Sequence, residues 1–176
     1  MSQKYNDTFK EVLKVLQKNS TCVRKQVGTI IVKSDRIIGT GWNGVPSGFK
    51  HCNEIFSVVK QPVPFGNPDP NREPNKYFIN DEEVDKETYM HEHHVFSEKQ
   101  ELHSELNAII CLAKNGVSPE GAEMYTTLAP CSNCAKAILA SGIKKFYYME
   151  EYDRSSEGLD LLKEAESMGK IELEKI

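Results

Sequence analysis

Two runs rich in β-branched residues, 27–32 and 37–42, are separated only by Lys33, Ser34, Asp35 and Arg36. A link that short lets two core strands meet only as an antiparallel hairpin. Around the hairpin the period changes. Tyr5, Phe9, Val12, Leu13 and Leu16 fall on one stripe and predict an amphipathic helix over 5–18, with Asn6 or Asp7 as cap. Helical patterns recur at 101–115, with Leu106, Ile109, Ile110 and Ala113 on the apolar side, at 131–140 after Pro130, and at 156–169. Strand patterns recur at 124–127, 145–149 and 171–175. Helices interleaved with strands in this order predict an α/β class, a three-layer α/β/α sandwich around a mixed central sheet.

A chain of 176 residues is the size of one domain and can bury a core without disulfides. The expectation is a single domain over 1–176 with a loop-rich insertion at about 53–100. Within it, residues 61–77 hold five of the eight prolines, which argues against regular structure there. A net charge of -4 without a basic run gives no footprint for gripping a nucleic-acid backbone. No apolar run is long enough to span a bilayer, and the first twenty residues lack the apolar core of an export signal. An odd number of cysteines, two of them in C-x-x-C, fits a reducing, cytoplasmic setting (a host cytoplasm for a viral chain) and metal use rather than disulfides. Cys111, on the apolar side of its helix, reads as a small hydrophobe.

Two short segments carry the chemistry. His103-Ser104-Glu105 opens one predicted helix, and Pro130-Cys131-Ser132-Asn133-Cys134 opens another. Cysteines three apart lie on one helical face, so both sulfurs reach one ion, with His103 as third ligand. Three protein ligands leave a tetrahedral position open for water, whose pKa zinc lowers to about 7. Glu105 is the group that would carry the proton from that water to a leaving amine. The H-x-E and P-C-x-x-C pair resembles the signature of zinc deaminases. A closed structural zinc site would use a fourth Cys or His and has no need of the glutamate.

The stretches TCVRKQVGTIIV, RIIGTGWNGVPSGFKHC, ELHSELNAII and GAEMYTTLAPCSNCAKAILASGIKKFYY, spanning about residues 19 to 157, resemble the deoxycytidylate deaminases, particularly their bacteriophage members. Ser104 stands where that family usually has alanine, and Trp42 where tyrosine is common. The resemblance implies a cytidine deaminase-like fold and zinc-dependent hydrolysis of dCMP to dUMP and ammonia, supplying dUMP for thymidylate synthesis. It further implies that Asn43 bonds the sugar, that the Ser104 backbone NH meets the pyrimidine O2, and that Thr127 and Ala129 line the base pocket. Arg24, Lys25, Tyr152 and Arg154 are its candidates for the phosphate.

By the same resemblance, Cys22, Cys52, His93 and Glu101 correspond to ligands of a second, structural zinc, with His91, His94 and His51 as alternatives. A homohexamer is implied, activated by dCTP and inhibited by dTTP with Mg2+ beside the triphosphate. The loop around Gly44, Ser47, Gly48 and Lys50 suits phosphate oxygens. Competing readings are a deaminase of a nucleoside, tRNA adenosine or single-stranded DNA, and a catalytically dead nucleotide sensor. Net charge speaks against the polymers, and Glu105 against the sensor.

Overall fold

A computed structural model describes residues 3–60, 75–151 and 155–176. The chain divides into two compact units, one formed by 1–20, 25–43 and 102–176, the other by 21–24 and 44–101. The insertion expected at about 53–100 falls inside the smaller unit and clusters apart from the rest. The physical reason is that the insertion has regular elements and a core of its own.

The larger unit starts with α1 (Gln3–Leu16), followed by a 3₁₀ turn (Gln17–Asn19). The strands β1 (Gly28–Lys33) and β2 (Arg36–Trp42) form the expected hairpin. Its two turn residues, Ser34 and Asp35, both take positive φ, 51° and 59°, the conformation that lets a two-residue turn follow the twist of its strands. Numbering elements along the whole chain, the larger unit resumes with α4 (Ser104–Lys114), β6 (Glu123–Leu128), α5 (Ser132–Ala140), β7 (Lys145–Glu150), α6 (Glu157–Ser167) and β8 (Glu172–Lys175). The strands make one mixed sheet in the order β2-β1-β6-β7-β8. The pairs β1/β2 and β1/β6 are antiparallel; β6/β7 and β7/β8 are parallel.

Alternate strand residues feed two cores, as the period of two requires. Ile31, Met124, Phe146 and Tyr148 face a cluster completed by Ala108 and Leu112 of α4, Ala135 and Ile138 of α5, and Leu159 and Leu162 of α6. Ile30, Val32, Tyr125 and Tyr147 face Phe9 and Leu13 of α1. Fully burying one such side chain contributes about 1.5–3 kcal/mol. The result is helix, sheet, helix.

The smaller unit contains α2 (Cys52–Ile55), β3 (Phe56–Lys60), β4 (Asn75–Ile79), β5 (Glu82–Val84) and α3 (Lys86–Gln100). Its strands form an antiparallel sheet in the order β3-β4-β5. Thus 75–77, inside the proline-rich stretch read as irregular, are strand; 61–74 lie outside the described residues. Its core gathers Cys22, Cys52, Phe56, Tyr89 and Phe96. Asp85 caps α3, accepting from the Thr88 N–H at 2.8 Å.

The apolar face of α4 also differs from expectation. Its buried residues are Ser104, Glu105, Ala108 and Leu112, while Ile110 is exposed. The helix is turned so that its polar first turn goes inward, and glycine is what allows it so close. A Cβ on Gly41 would strike the Ser104 carbonyl oxygen and come within 2.5 Å of the Ala108 nitrogen. Gly158 plays the same part for α6, since a Cβ there would strike the Pro130 carbonyl and lie 2.6 Å from the Cys131 carbonyl carbon.

Helix propensity alone would favour Gly158→Ala by up to about 1 kcal/mol. The added methyl meets backbone that cannot rotate away, and overpacking of this kind costs about 1–3 kcal/mol. Gly158→Ala is therefore expected to lower the denaturation midpoint. A midpoint equal to or above the wild type would show that the Cys131 turn yields freely.

Candidate active site

The two motif segments come together at one end of the sheet because each begins a helix. His103 is the N-cap of α4 and Cys131 the N-cap of α5, both with extended backbone (ψ 155° and 170°). That geometry turns a cap side chain away from the helix body, towards the end where N–H groups are unsatisfied and the dipole is positive. Cys134 lies one turn into α5 and is fully buried. Pro130 precedes the cap, and β6 delivers it at the carboxyl end of a parallel strand, a common place for ligand sites in such sheets.

His103 Nδ1 lies 3.4 Å from Cys131 Sγ and 3.5 Å from Cys134 Sγ, and the three donor atoms all lie within 4.8 Å of one another. A tetrahedral ion with zinc–sulfur and zinc–nitrogen bonds of about 2.3 and 2.0 Å sets sulfur and nitrogen about 3.5 Å apart. The donor set thus fits zinc in both chemistry and spacing. The Cys131 thiol is pushed down to about 3, first by its hydrogen bond with Cys134 and then by His103. Cys134 is pushed up, by that same bond and by burial. The pair shares a proton that a cation bound to both sulfurs would displace.

Glu105 sits beside this triad in the first turn of α4 and is only 4% exposed. Burial raises its carboxyl above the ordinary range, opposed by the charge of His103 and by the Ser104 hydroxyl. Ser104 Oγ donates to Glu105 Oε2 at 3.0 Å and touches Thr29 Oγ1 at 2.8 Å. Sequence reasoning missed Thr29 and its cross-strand neighbour Thr126, whose only signal was membership of β-branched strands.

The other expected substrate residues lie nearby, engaged with the fold. Asn43 Oδ1 accepts from the Val27 N–H at 2.8 Å, and its Nδ2 donates to the Lys25 carbonyl at 3.0 Å. The amide keeps one N–H and one lone pair for a ligand. Thr127 Oγ1 accepts from the Gly28 N–H at 3.2 Å, and Ala129 is buried with its N–H on the Glu150 carbonyl. Lys25 pairs with Glu150 at 3.1 Å, an exposed ion pair of the weak kind. Tyr152 and Arg154 lie outside the described residues.

The smaller unit carries the remaining candidates. Arg24 is half-buried near Tyr89, whose hydroxyl burial pushes up to about 12. Gly44, Ser47, Gly48 and Lys50 lie in a loop with Ser47, Gly48 and Lys50 exposed; Gly48 takes φ +92°. Cys22, Cys52 and His93 form a second buried group, with His93 Nε2 at 3.7 Å from Cys22 Sγ and 3.3 Å from Cys52 Sγ. His91 and His94 are exposed on the other side of α3. His51 is engaged in capping α2. Glu101 stands outside the group of three, but its charge helps Cys22 and burial to raise the Cys52 thiol.

Comparison with known proteins agrees with this geometry. The profile of the cytidine and deoxycytidylate deaminase zinc-binding region matches residues 2–150. Deoxycytidylate deaminase of Enterobacteria phage T2 is 38% identical over 160 residues, covering 87% of this chain and 84% of that protein. Human deoxycytidylate deaminase is 33% identical over 134 residues, covering 75% of this chain and 57% of that protein. The crystal structure of dCMP deaminase from cyanophage S-TIM5 in complex with dCMP and dUMP superposes with a TM-score of 0.68 at 28% identity, covering 100% of this chain and 99% of that one. With its histidine, its cysteine pair and its glutamate gathered at two helix ends, this chain belongs to the cytidine and deoxycytidylate deaminase family.

Proposed function

We propose that the chain hydrolyses dCMP to dUMP and ammonia. The observation that carries this reading is a buried carboxylate, Glu105, set beside a three-donor metal site, in a chain whose relatives act on dCMP. His103, Cys131 and Cys134 would hold zinc. Bound there, zinc supplies the Lewis acidity that makes water a nucleophile at neutral pH. Glu105 accepts the proton that the attacking water loses, delivers it to the ring nitrogen, and then protonates the departing amine. Its burial suits this double duty, because desolvation raises the carboxyl above its usual range and makes it a better proton acceptor than an exposed carboxylate. Asn43, already fixed to the strand entry, offers its remaining N–H and lone pair to the sugar. The Ser104 backbone NH, Thr127 and Ala129 surround the base, and Arg24, Lys25, Tyr152 and Arg154 are the cations and donors for the phosphate.

The second group of donors supports a structural zinc on Cys22, Cys52 and His93, with Glu101 completing the tetrahedron. Its sulfur–nitrogen distances bracket the value a shared ion requires. Such an ion would tie the 21–24 segment, α2 and α3 together. The resemblance to phage members further supports control by dCTP and dTTP with Mg2+, through the loop holding Gly44, Ser47, Gly48 and Lys50, in a homohexamer.

Ammonia release measured with dCMP, dCTP, cytidine and tRNA should be fastest with dCMP. Glu105→Gln should lower kcat by about 10²- to 10⁴-fold. Equal activity of that variant would sink the mechanism, and preference for another substrate would sink the assignment. Metal analysis should find two zinc ions per chain in the wild type and one in Cys52→Ser, with a lower melting temperature in the variant; one ion in both would remove the second site. Sigmoidal dCMP kinetics made hyperbolic by dCTP would support the regulation, and unresponsive hyperbolic kinetics would end it.

A further inference from the structure

Behind Glu105 runs a line of hydroxyls with no access to solvent. Thr29, Ser104 and Thr126 are each 0% exposed. Thr126 Oγ1 lies 3.3 Å from the Gly28 carbonyl oxygen and 3.2 Å from Thr29 Oγ1. Thr29 Oγ1 lies 2.8 Å from Ser104 Oγ, which lies 3.0 Å from Glu105 Oε2. The Leu128 N–H reaches Thr126 Oγ1 from the far side at 3.5 Å. Three elements supply the line: β1, β6 and α4. Thr29 and Thr126 are direct partners in the β1/β6 register, and α4 reaches them because Gly41 lets its first turn approach the sheet.

Proton counting shows what the line can do. It has four oxygen–oxygen contacts and only three hydroxyl protons, one for each residue. Ser104 donates to the Glu105 carboxylate, Thr29 to Thr126 and Thr126 to the Gly28 carbonyl, and either hydroxyl can donate across the short Thr29–Ser104 contact. The Leu128 N–H stands ready to supply Thr126. Each of the three hydroxyls therefore has two oxygen partners within hydrogen-bond distance. Buried polar chains satisfied in this way are rigid and strengthen one another.

We propose that Ser104, backed by Thr29 and Thr126, is the positioning residue of the proton carrier: it fixes Oε2 of Glu105 and so leaves Oε1 as the oxygen that handles the proton. The proposal rests on the reading of Glu105 as that carrier. Ser104 acts here through its side chain, separately from the backbone NH assigned to the pyrimidine. Removing the hydroxyl should therefore change the chemical step and spare substrate binding.

The test uses zinc-loaded protein with dCMP. Ser104→Ala is expected to lower kcat about five- to tenfold with KM changed less than twofold. Thr29→Val should lower kcat less, and should add nothing in the Ser104→Ala background because the two act in series. Thr29→Ser, which keeps the hydroxyl and loses the methyl, should retain wild-type kcat. A readout without turnover comes from infrared difference spectra of glutamate-labelled protein, with Glu105→Gln as the subtraction. The Glu105 carboxyl band should move to higher frequency in Ser104→Ala.

An unmoved band together with unchanged kcat would overturn the proposal. So would a Thr29→Ser variant as slow as Thr29→Val, since packing rather than hydrogen bonding would then be responsible. A moved band in a protein inactive towards dCMP would instead count against the substrate reading and leave the positioning role standing.

Discussion

Everything at the site depends on two helix amino termini being brought to the same place. The amino end of a helix has unsatisfied N–H groups and a positive dipole, and here the residues that begin the helices are also the proposed metal donors. His103 and Cys131 are caps by conformation, so the positions of ligand and helix are one and the same. The thiolate at Cys131 gains from its own helix, from its neighbour Cys134 and from His103. The carboxyl two residues beyond His103 experiences the opposite influence, because α4 carries it inward out of water. One piece of backbone geometry thereby produces an easily ionised sulfur and a reluctantly ionised carboxyl within one site.

The parts of this arrangement set by short-range pattern were readable in advance. The hairpin, α1, α5, β7 and the last helix and strand come from local period and turn chemistry, and the ligand triad comes from two fixed spacings. What escaped depended on contacts between distant segments. The inward face of α4 was misjudged because Ser104 and Glu105 are polar and Ile110 is not; the burial of the first turn is decided by Gly41, which lets that turn approach β2. Thr29 and Thr126 meet only through the register of β1 and β6. In α3 the buried residues are Tyr89, His93 and Phe96 among charged neighbours, so a histidine takes an apolar place and the stripe is interrupted.

The smaller unit shows a different balance. Its core is few in members and rich in groups that are poor hydrophobes, two cysteines and a histidine packed among Phe56, Tyr89 and Phe96. Small cores gain little from apolar burial alone and need a staple. The Cys22, Cys52 and His93 cluster stands where a staple would act, while in the larger unit the same donor types stand at helix ends against a full hydrophobic core. On the proposed reading, similar donor groups serve opposite needs, reactivity in one unit and cohesion in the other.

Gly41 has a bearing on how this site can be altered. His103 and Glu105 ride on α4, while Cys131 and Cys134 ride on α5. The spacing between sheet and α4 is set where backbone meets backbone at Gly41. A side chain at position 41 would act as a shim: each added carbon would lift the histidine and the glutamate as a rigid pair away from the sulfurs, without changing their distance from each other. The separation between Glu105 and the two cysteine sulfurs is thus adjustable from the strand against which α4 packs, by a residue that belongs to neither motif.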